Sequence, residues 1–438
     1  MTQKLTSIFY FIILFLCSLF SGLISQTRID FSQNEKFLSL DYSSFYPHLM
    51  LKHKIGDFYK LPKNPVLSPA RSGWDQQDVA DPFILVTADS IFLFYDGSNK
   101  GHYSIGYAVR DDAGWAWVNR KQILKPDNQS WRSFHLIAPT FIPGNTDHFI
   151  YNGNSSDSEL GYQIGMSRKD KSEKWLFSST KPLFKTDTGN WDFAGNAYQD
   201  IVYFPNEKKY RMWFSGFSGP FASIGIAESD DGKFWQKSNK PVLESSPGVV
   251  APEVVFNGEK YIMYFAHLDL SSGFGTKIKS AESDDGINWD NIRIVLKPEA
   301  KWEGKRLMRP NISFFEEQVH LFYCAQKGSK WHIGEAIADA FFESSGIWQS
   351  KEIKNDFQRL IIKYELPFQT EIKMELIDGK QGSKKLLDLE SEKKELRTGV
   401  YQSSFILEKK TGSFKLKIQL ATKNELRSPV IYQIDFEK

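Results

Sequence analysis

Short apolar runs follow one another from residue 58 to residue 350, and turn-forming Gly, Asn and Asp residues separate them. The runs are rich in aromatic and β-branched residues, as in IFLFYDG at 91–97 and YRMWFSG at 210–216. Runs of this length and composition favour β-strands, because an amphipathic helix needs a longer pattern with a 3.6-residue period. The pattern therefore predicts an all-β structure over this range.

The runs recur in a fixed order, which indicates an internal repeat of five units. Each unit opens with a tryptophan, or with a glutamate in the fourth copy, and we call the residue seven places later position seven. The openings are WDQQDVADPFIL from Trp74, WRSFHLIAPTFI from Trp131, WDFAGNAYQDIV from Trp191, ESSPGVVAPEVV from Glu244 and WEGKRLMRPNIS from Trp302. Position seven is in turn Asp81, Ala138, Tyr198, Ala251 and Arg309. Four strands in each of five units predict a five-bladed β-propeller over residues 58–350.

A strand that ends a unit also appears before the first unit begins. Residues 58–67, FYKLPKNPVL, match residues 234–243, FWQKSNKPVL, in spacing and in the final Pro-Val-Leu. We expect residues 58–67 to form the outer strand of the fifth unit, because this pairing would close the ring and leave no open edge. Residues 26–57 are then a lead-in to the propeller.

The tail of the chain differs in composition from the repeats. All twelve tryptophans lie between Trp74 and Trp348, and charged residues become frequent after residue 356. Alternating runs such as SFKLKIQL continue, with turns at DGKQG and KTG. This pattern predicts antiparallel strands and a small β-sandwich at 356–438. The tail resembles the immunoglobulin-like C-terminal modules of secreted bacterial proteins.

The first 25 residues have the pattern of a secretory signal peptide. Lys4 precedes an apolar stretch at 8–20, and small residues follow up to Ser25. Cleavage there predicts a secreted, cell-surface or periplasmic protein without a membrane span, with an uncleaved membrane anchor as the alternative. Cys324 would then be the only cysteine, which excludes an intramolecular disulfide. The net charge of +2 does not indicate a nucleic-acid partner.

Two turns, SDDGKFW at 229–235 and SDDGINW at 283–289, resemble the Asp-box of sialidases, Ser-x-Asp-x-Gly-x-Thr-Trp. Each is one residue shorter than the Asp-box between its second Asp and its Gly. Asp and Gly are turn-forming residues, and Gly tolerates a positive φ. We interpret both copies as structural turns, since a residue pattern repeated around a ring usually belongs to the scaffold.

Candidate chemistry lies where the five units differ around position seven, because the first strand of each propeller blade faces the axial channel. The carboxylates there are Asp81, Asp200 and Glu253, with Asp78 nearby. The side chains of His135, Tyr198, Arg309 and Asn311 could hydrogen-bond to hydroxyl groups of a ligand. Structural alternatives stay open: Asp81 could start a turn, Asp200 could accept backbone hydrogen bonds, Glu253 could lie at the rim, and Arg309 could be a counter-ion.

Blade openings with Asp-Pro or Ala-Pro, aromatic second strands and the pattern IGxAxSxDGxxW resemble the five-bladed propeller glycosidases. This superfamily includes arabinanases, β-xylosidases, invertases and levansucrases. The resemblance implies that Asp81 is the base or nucleophile, that Asp200 orients the acid or stabilises the transition state, and that Glu253 is the acid. Asp200 and Glu253 stand two residues after position seven, where an alternating strand would keep them on the same face about 7 Å further along.

The sequence thus predicts a secreted glycoside hydrolase, or a related glycosyl-transferring enzyme, that acts as a monomer on an oligo- or polysaccharide. No cofactor and no metal ligand set is predicted, and whether a calcium ion occupies the axial channel stays open. The main alternative is a propeller that binds glycan without cleaving it. A sialidase is a third possibility, disfavoured because five units are countable and not six.

Overall fold

The computed structural model confirms the all-β class, since the described elements are strands apart from one 3₁₀ turn at Lys301–Glu303. The structure describes residues 26–28, 37–38, 40–41, 50–51 and 53–437, with gaps at 112, 115, 159, 185, 187–188, 205–206, 258–259, 270–274, 351, 355–356, 380–381 and 408–412. The predicted signal peptide at 1–25 lies outside the described residues.

Five four-stranded antiparallel sheets follow one another along the chain. Sheet 1 contains Asp78–Val86, Ile91–Asn99, His102–Arg110 and Trp117–Leu124. Sheet 2 contains His135–Ile142, Asn145–Asn154, Gln163–Lys169 and Trp175–Phe177. Sheet 3 contains Gly195–Phe204, Lys209–Ser218, Phe221–Ser229 and Gln236–Lys237. Sheet 4 contains Val249–Phe256, Tyr261–Asp269, Gly275–Ser283 and Asp290–Leu296. Sheet 5 contains Leu307–Phe315, Gln318–Lys327, Lys330–Ala338 and, from the N-terminal side, Tyr59–Lys60.

The pairing predicted for residues 58–67 is confirmed. Tyr59 lies opposite Ile337 and Lys60 lies opposite Ala336, so a segment before sheet 1 supplies the outer strand of sheet 5. The first strand of each sheet also contacts the first strand of the next, and Leu307–Phe315 contacts Asp78–Val86. The five first strands therefore form a closed ring, an arrangement consistent with a β-propeller.

The tryptophans that open the units pack on glycines of their own sheet. A Cβ atom on Gly216 or Gly225 would lie 2.1 or 2.3 Å from the ring of Trp191, so only glycine fits at either place. Trp74 and Trp131 make the same close contacts with two glycines each. In the fourth unit the opening tryptophan and both glycines are absent, and Glu244, His267 and Lys279 stand in their places. Their recurrence therefore reflects packing.

The two SDDG turns have the structural geometry that the sequence predicts. Ser229 Oγ accepts a hydrogen bond from the backbone N–H of Gly232 (2.9 Å). The carboxylate of Asp231 accepts two, from the backbone N–H groups of Lys233 and Phe234. The indole N–H of Trp235 donates to the carbonyl of Gly232 (3.0 Å), whose φ is 72°. The turn at 283–289 repeats the serine and aspartate hydrogen bonds.

Two further sheets contain the tail, and segments from outside the tail pair with them. One contains Gln26–Arg28, Val430–Glu437, Arg359–Glu365, Val400–Ile406 and Lys394–Arg397. The other contains Phe37–Leu38, Ser345–Gln349, Ser413–Thr422, Thr370–Asp378 and Lys384–Leu387, with Ile353–Lys354 beside Ser413–Thr422. Two short pairs complete the described strands: Leu40–Asp41 with Met50–Leu51, and His53–Ile55 with Ala340–Phe342.

The tail sheets and the repeat sheets share one continuous hydrophobic core. This core includes Tyr95 of sheet 1, Tyr264 of sheet 4 and Phe322 of sheet 5 together with Ile418 and Ile434 of the tail. Trp348 is fully buried in the same core and belongs to a strand that pairs with the tail. A division of the chain at residue 350 is therefore not visible in the packing and stays a prediction.

Glu303 anchors the N-terminal outer strand. Its carboxylate is fully buried, lies 2.8 Å from Lys60 Nζ, and accepts hydrogen bonds from the Tyr323 hydroxyl (2.8 Å) and the backbone N–H groups of Glu299 and Ala300. Burial alone would raise the pKa of Glu303, but these hydrogen bonds, led by the one from Lys60, hold it below its ordinary value. The ionised carboxylate is therefore the form that stabilises the closed ring.

We expect Glu303→Gln to lower the free energy of unfolding at pH 7 by about 1–3 kcal/mol, the scale of a hydrogen bond to a charged group. A depressed pKa stabilises the fold above the unfolded pKa of about 4.3, and this contribution is lost as the pH falls through the folded pKa. Urea unfolding at pH 7 and pH 3.5 should thus show a smaller effect at the lower pH. Glu343→Gln, at an exposed position, is the control, and an equal loss in both variants would contradict the anchor.

Candidate functional site

The five position-seven residues share one backbone feature that their residue types do not predict. Each has a left-handed φ between 50° and 56°, although none is a glycine. In every sheet the pairing between the first and second strands shifts register at this point. Position seven is therefore a β-bulge. The bulge interrupts the alternation of faces, so the expected same-face relation between position seven and the residue two places later does not apply.

A bulge leaves backbone N–H groups without a partner in their own sheet, and neighbouring sheets supply acceptors. Three position-seven N–H groups donate to a polar side chain on the second strand of the preceding sheet. These bonds are Ala138 N to Asp96 Oδ1 (3.1 Å), Tyr198 N to Asn152 Oδ1 (2.8 Å) and Ala251 N to Ser215 Oγ (2.8 Å). All three acceptors are buried.

A second set of bonds uses the side chains two residues after position seven. Each of three accepts a hydrogen bond from a backbone N–H on the first strand of the next sheet. These bonds are Val254 N to Asp200 Oδ2 (2.7 Å), Ile312 N to Glu253 Oε1 (2.9 Å) and Ile84 N to Asn311 Oδ1 (2.8 Å). Asn311 also donates from Nδ2 to Glu253 Oε1 (3.0 Å). Asp200, Glu253 and Asn311 therefore tie sheets 3, 4, 5 and 1 together around the ring.

The carboxyl group of Asp81 lies beside that of Asp96, a residue that the sequence analysis did not select. A hydrogen bond joins the two carboxyl groups, and burial followed by the charge of Asp81 raises the pKa of Asp96 well above its ordinary value. The raised pKa favours the protonated form of Asp96, whose hydroxyl can then donate to the carboxyl group of Asp81. The thiol of Cys324 is also directed at Asp81 Oδ1 (3.9 Å).

Arg309 supplies the positive charge of this cluster. The side chain is only 2% exposed, and one Nη donates to Thr140 Oγ1 (2.9 Å). Its charge lowers the pKa values of Asp96, Asp200 and Glu253, against the larger opposite effect of burial. Arg309 is therefore within electrostatic reach of carboxyl groups from sheets 1, 3 and 4.

The carboxyl groups of Asp200 and Glu253 differ in protonation. Burial raises the pKa of Asp200 to about 6, with its backbone hydrogen bonds and Arg309 acting in the opposite direction. Burial and then the negative charge of Asp200 raise the pKa of Glu253 well above its ordinary value. Asp200 is therefore mainly ionised at neutral pH, and its charge favours the protonated form of Glu253.

Asp78 and His135 lie several residues before position seven, at the starts of the first strands of sheets 1 and 2. Asp78 accepts hydrogen bonds from Ser98 Oγ (2.7 Å), from the backbone N–H of Trp331 (2.9 Å) and from the hydroxyl of Tyr103. His135 Nδ1 accepts from the backbone N–H of Tyr103 (3.3 Å). Burial lowers the pKa of His135, so its ring is neutral with the proton on Nε2, 3.4 Å from the exposed Asp157 carboxylate.

The structure thus brings the predicted residues into two connected groups. Asp81, Arg309, Asp200, Glu253 and Asn311 form the central cluster, to which Asp96 and Thr140 belong as well. Asp78 and His135 lie nearer the strand starts, where the rings of Tyr103 and Tyr162 flank His135. The half-buried ring of Tyr198 packs against the two small apolar clusters that contain Ala138 and Ala251, the position-seven residues of the adjacent sheets.

Asp96, Asn152 and Ser215 had a signal in the sequence. They are the polar letters in YDG, YNG and FSG, each one residue before a glycine in an otherwise aromatic strand. A lone polar residue in a buried strand needs a hydrogen-bond partner, which points to a position facing the centre.

Among the described residues, no helix is long and apolar enough to cross a membrane. Within the same part of the chain, no three His, Cys, Asp or Glu side chains are grouped so that they could hold a metal ion.

Comparison with solved structures shows which fold the chain shares. A glycoside hydrolase superposes with a TM-score of 0.54 at 16% identity, over 64% of this chain and 92% of the other. A glycosyl hydrolase from Bacteroides ovatus gives 0.52 at 16%, over 65% and 94%. A third structure gives 0.53 at 14%, over 65% and 94%, and concerns the GH130 family of mannoside phosphorylases, which contains glycoside hydrolases that target β-1,2 mannosidic linkages in Candida mannan.

No protein-family model and no curated protein matches the chain. The shared fraction of the chain is about the length that the five repeat sheets span. The chain therefore has the fold of glycoside hydrolase structures, as the resemblance in sequence predicted, and identities of 14–16% extend that likeness to the fold alone.

The raised pKa of Asp200 generates a pH prediction. Because its pKa is raised in the folded state, Asp200 contributes fully to the free energy of unfolding below the unfolded pKa of about 3.9. This contribution is lost as the pH rises through the folded pKa of about 6. Asp200→Asn keeps an oxygen that can accept from Val254 N and removes the titration. We expect the variant to be at least as stable as the wild type at pH 7 and to lose less stability between pH 5 and pH 7.

Urea unfolding of both proteins at the two pH values measures this difference. Asp230→Asn, at an exposed position, is the matched control and should follow the wild type. A variant destabilised more at pH 7 than at pH 5 would show that an ionised Asp200 stabilises the fold, which is the opposite sign.

Proposed function

We propose that this protein is a secreted enzyme that cleaves or transfers glycosidic bonds with carboxyl groups in the axial channel of a five-bladed β-propeller. In this proposal each four-stranded sheet is one blade, and residues 356–438 form a small immunoglobulin-like β-sandwich. The shared fold with glycoside hydrolase structures supports the class of reaction. The signal-peptide pattern supports secretion, and mass spectrometry of the mature protein should find an N-terminus near Gln26.

The observation that carries the proposal is a buried cluster of carboxyl groups in which burial and mutual charge raise the pKa values of some members. Glycosidic bond cleavage needs one carboxylic acid to protonate the leaving oxygen and one carboxylate to attack or to activate water. Glu253 has a pKa raised well above its ordinary value, which suits the acid. Asp81 is hydrogen-bonded to Asp96, whose raised pKa favours donation of a proton to Asp81, and this suits Asp81 as the carboxylate.

The other residues have supporting roles in this proposal. Asp200 raises the pKa of Glu253 through its negative charge and so favours the protonated acid. Arg309 balances the negative charge of the cluster. Asp78, His135, Tyr198 and Asn311 would contact sugar hydroxyls from the channel side. None of these steps uses a metal or a cofactor, and the substrate is an oligo- or polysaccharide.

A second function, glycan binding without cleavage, is favoured by one specific observation. Asp200 and Glu253 already accept backbone hydrogen bonds that tie neighbouring sheets together. A carboxyl group held in this way is less free to approach a glycosidic oxygen. In this reading the central carboxyl groups are scaffold, and the sugar contacts lie only at the strand starts.

We expect Asp81→Asn to lower turnover at least about a hundredfold, because it removes the carboxylate that attacks or activates water. Asn keeps the size of the side chain and an oxygen that can accept from Asp96, so the thermal midpoint should change little. Turnover is measured on nitrophenyl glycosides and on a panel of plant and microbial polysaccharides. Asp230→Asn is the control and should retain full activity.

The same panel separates the two functions. A wild-type protein that binds a glycan by calorimetry but releases no product would favour the binding function. Wild-type turnover that survives in Asp81→Asn would refute the role of Asp81 while leaving the reaction class intact. If the variant does not fold, Asp81 is structural, and Glu253→Gln tests the acid in its place.

A further inference from the structure

A cavity of about 630 Å³ lies between sheets 1 and 2, away from the central cluster. It opens at the far ends of the first strands, next to Leu85 and Thr87 of sheet 1 and Phe141 of sheet 2. None of the residues that line it belongs to the central cluster or to the strand starts. Its volume is within the range of small-molecule sites, which is about 300–1,000 Å³.

The cavity lies beside the turn at residues 170–174 of sheet 2, which differs from the corresponding SDDG turns of sheets 3 and 4. In those sheets the glycine of the SDDG turn lies against the preceding sheet: a Cβ atom on Gly232 would be 3.1 Å from Ile142, and one on Gly286 would be 2.9 Å from Trp213. The corresponding turn of sheet 2 reads DKSEK at 170–174 and has no glycine. Without this close contact, the groove between sheets 1 and 2 stays open.

Aromatic rings form much of the cavity wall. They are Phe92, Phe94, Tyr107, Phe141 and Trp175. Phe94 and Phe141 are buried, whereas Phe92, Tyr107 and Trp175 are partly exposed. Partly exposed apolar rings in a concave site suit the C–H faces of sugar rings, with a few polar groups setting the orientation.

The polar rim of the cavity is mainly basic. Lys121, Lys169 and Lys174 line it together with a single acid, Glu173. Lys169 is engaged, since its ammonium lies 3.3 Å from Glu173 and 5.2 Å from the centre of the Trp175 ring. Lys121 and Lys174 are exposed, and neither is in an ion pair with a carboxylate among the described residues. Two ammonium groups are therefore available to a ligand, which favours an anionic one.

We propose that this cavity is a second glycan site that binds acidic oligosaccharides, with sugar rings against the aromatic wall and uronate carboxylates at Lys121 and Lys174. This proposal rests on the proposed function in one respect, because the proposed function implies that the protein encounters glycans. The site holds its ligand away from the central carboxyl groups. Binding here therefore does not depend on turnover.

Isothermal titration calorimetry with trigalacturonate and with a hyaluronan tetrasaccharide tests the site, with trigalactose as the neutral counterpart. We expect at least one acidic probe to bind and trigalactose to bind at least about fivefold more weakly. Lys121→Glu and Lys174→Glu should each weaken binding of the acidic probe at least about fivefold, because each replaces an attraction with a repulsion. Lys171→Glu, in the same turn but outside the cavity, is the matched control and should bind as the wild type does.

The Asp81→Asn protein separates this proposal from the proposed function. Unchanged affinity in Asp81→Asn together with losses in Lys121→Glu and Lys174→Glu supports a separate site, whatever the turnover measurements show. Affinity lost only in Asp81→Asn would place the acidic glycan in the central channel and overturn the proposal. Absence of binding by both acidic probes, equal binding of trigalactose, or an equal loss in Lys171→Glu would also overturn it.

Discussion

The central constraint on this fold is that every first strand is bulged at position seven, which releases backbone N–H groups inside a closed ring. A buried N–H without an acceptor costs about 1–3 kcal/mol, so a bulge favours a polar group on the neighbouring sheet. Asp96, Asn152 and Ser215 accept from three of the five position-seven N–H groups, and Asp200, Glu253 and Asn311 accept from three N–H groups further along the first strands. Much of the polar centre of the molecule therefore serves its backbone geometry.

The same carboxyl groups therefore hold neighbouring strands together and are also candidates for acid–base chemistry. Asp200 and Glu253 are held by backbone bonds, and their burial raises their pKa values. Burial that serves the ring thus also favours the protonated form of these groups, with Arg309 acting in the opposite direction. Asp81 differs from them because it occupies position seven itself and because its carboxyl group is hydrogen-bonded to another carboxyl group, that of Asp96. Roles assigned at this centre must therefore be tested with variants that keep the hydrogen bonds.

The order of strands was predictable from the sequence, because the unit openings and the match between residues 58–67 and 234–243 recur in register. The bulges were not, because Asp, Ala, Tyr and Arg at position seven give no sign of a left-handed conformation that usually requires glycine. Asp81, Asp200 and Glu253 were found as carboxylates near the centre, whereas Asp96 was read as part of an aromatic strand. The merging of the tail core with the repeats, through Trp348, depends on packing that no local pattern encodes.

The two-residue strand Tyr59–Lys60 has a consequence for the order in which the chain can fold. Its partner, Lys330–Ala338, lies about 270 residues later in the sequence. Tyr59–Lys60 is therefore synthesised early but cannot pair until sheet 5 has formed. Contacts of such long sequence separation carry a large loop-closure cost and slow folding. Closure of the ring is therefore expected to be a late event, and an interrupted chain would expose the open edges of sheet 5 to other strands.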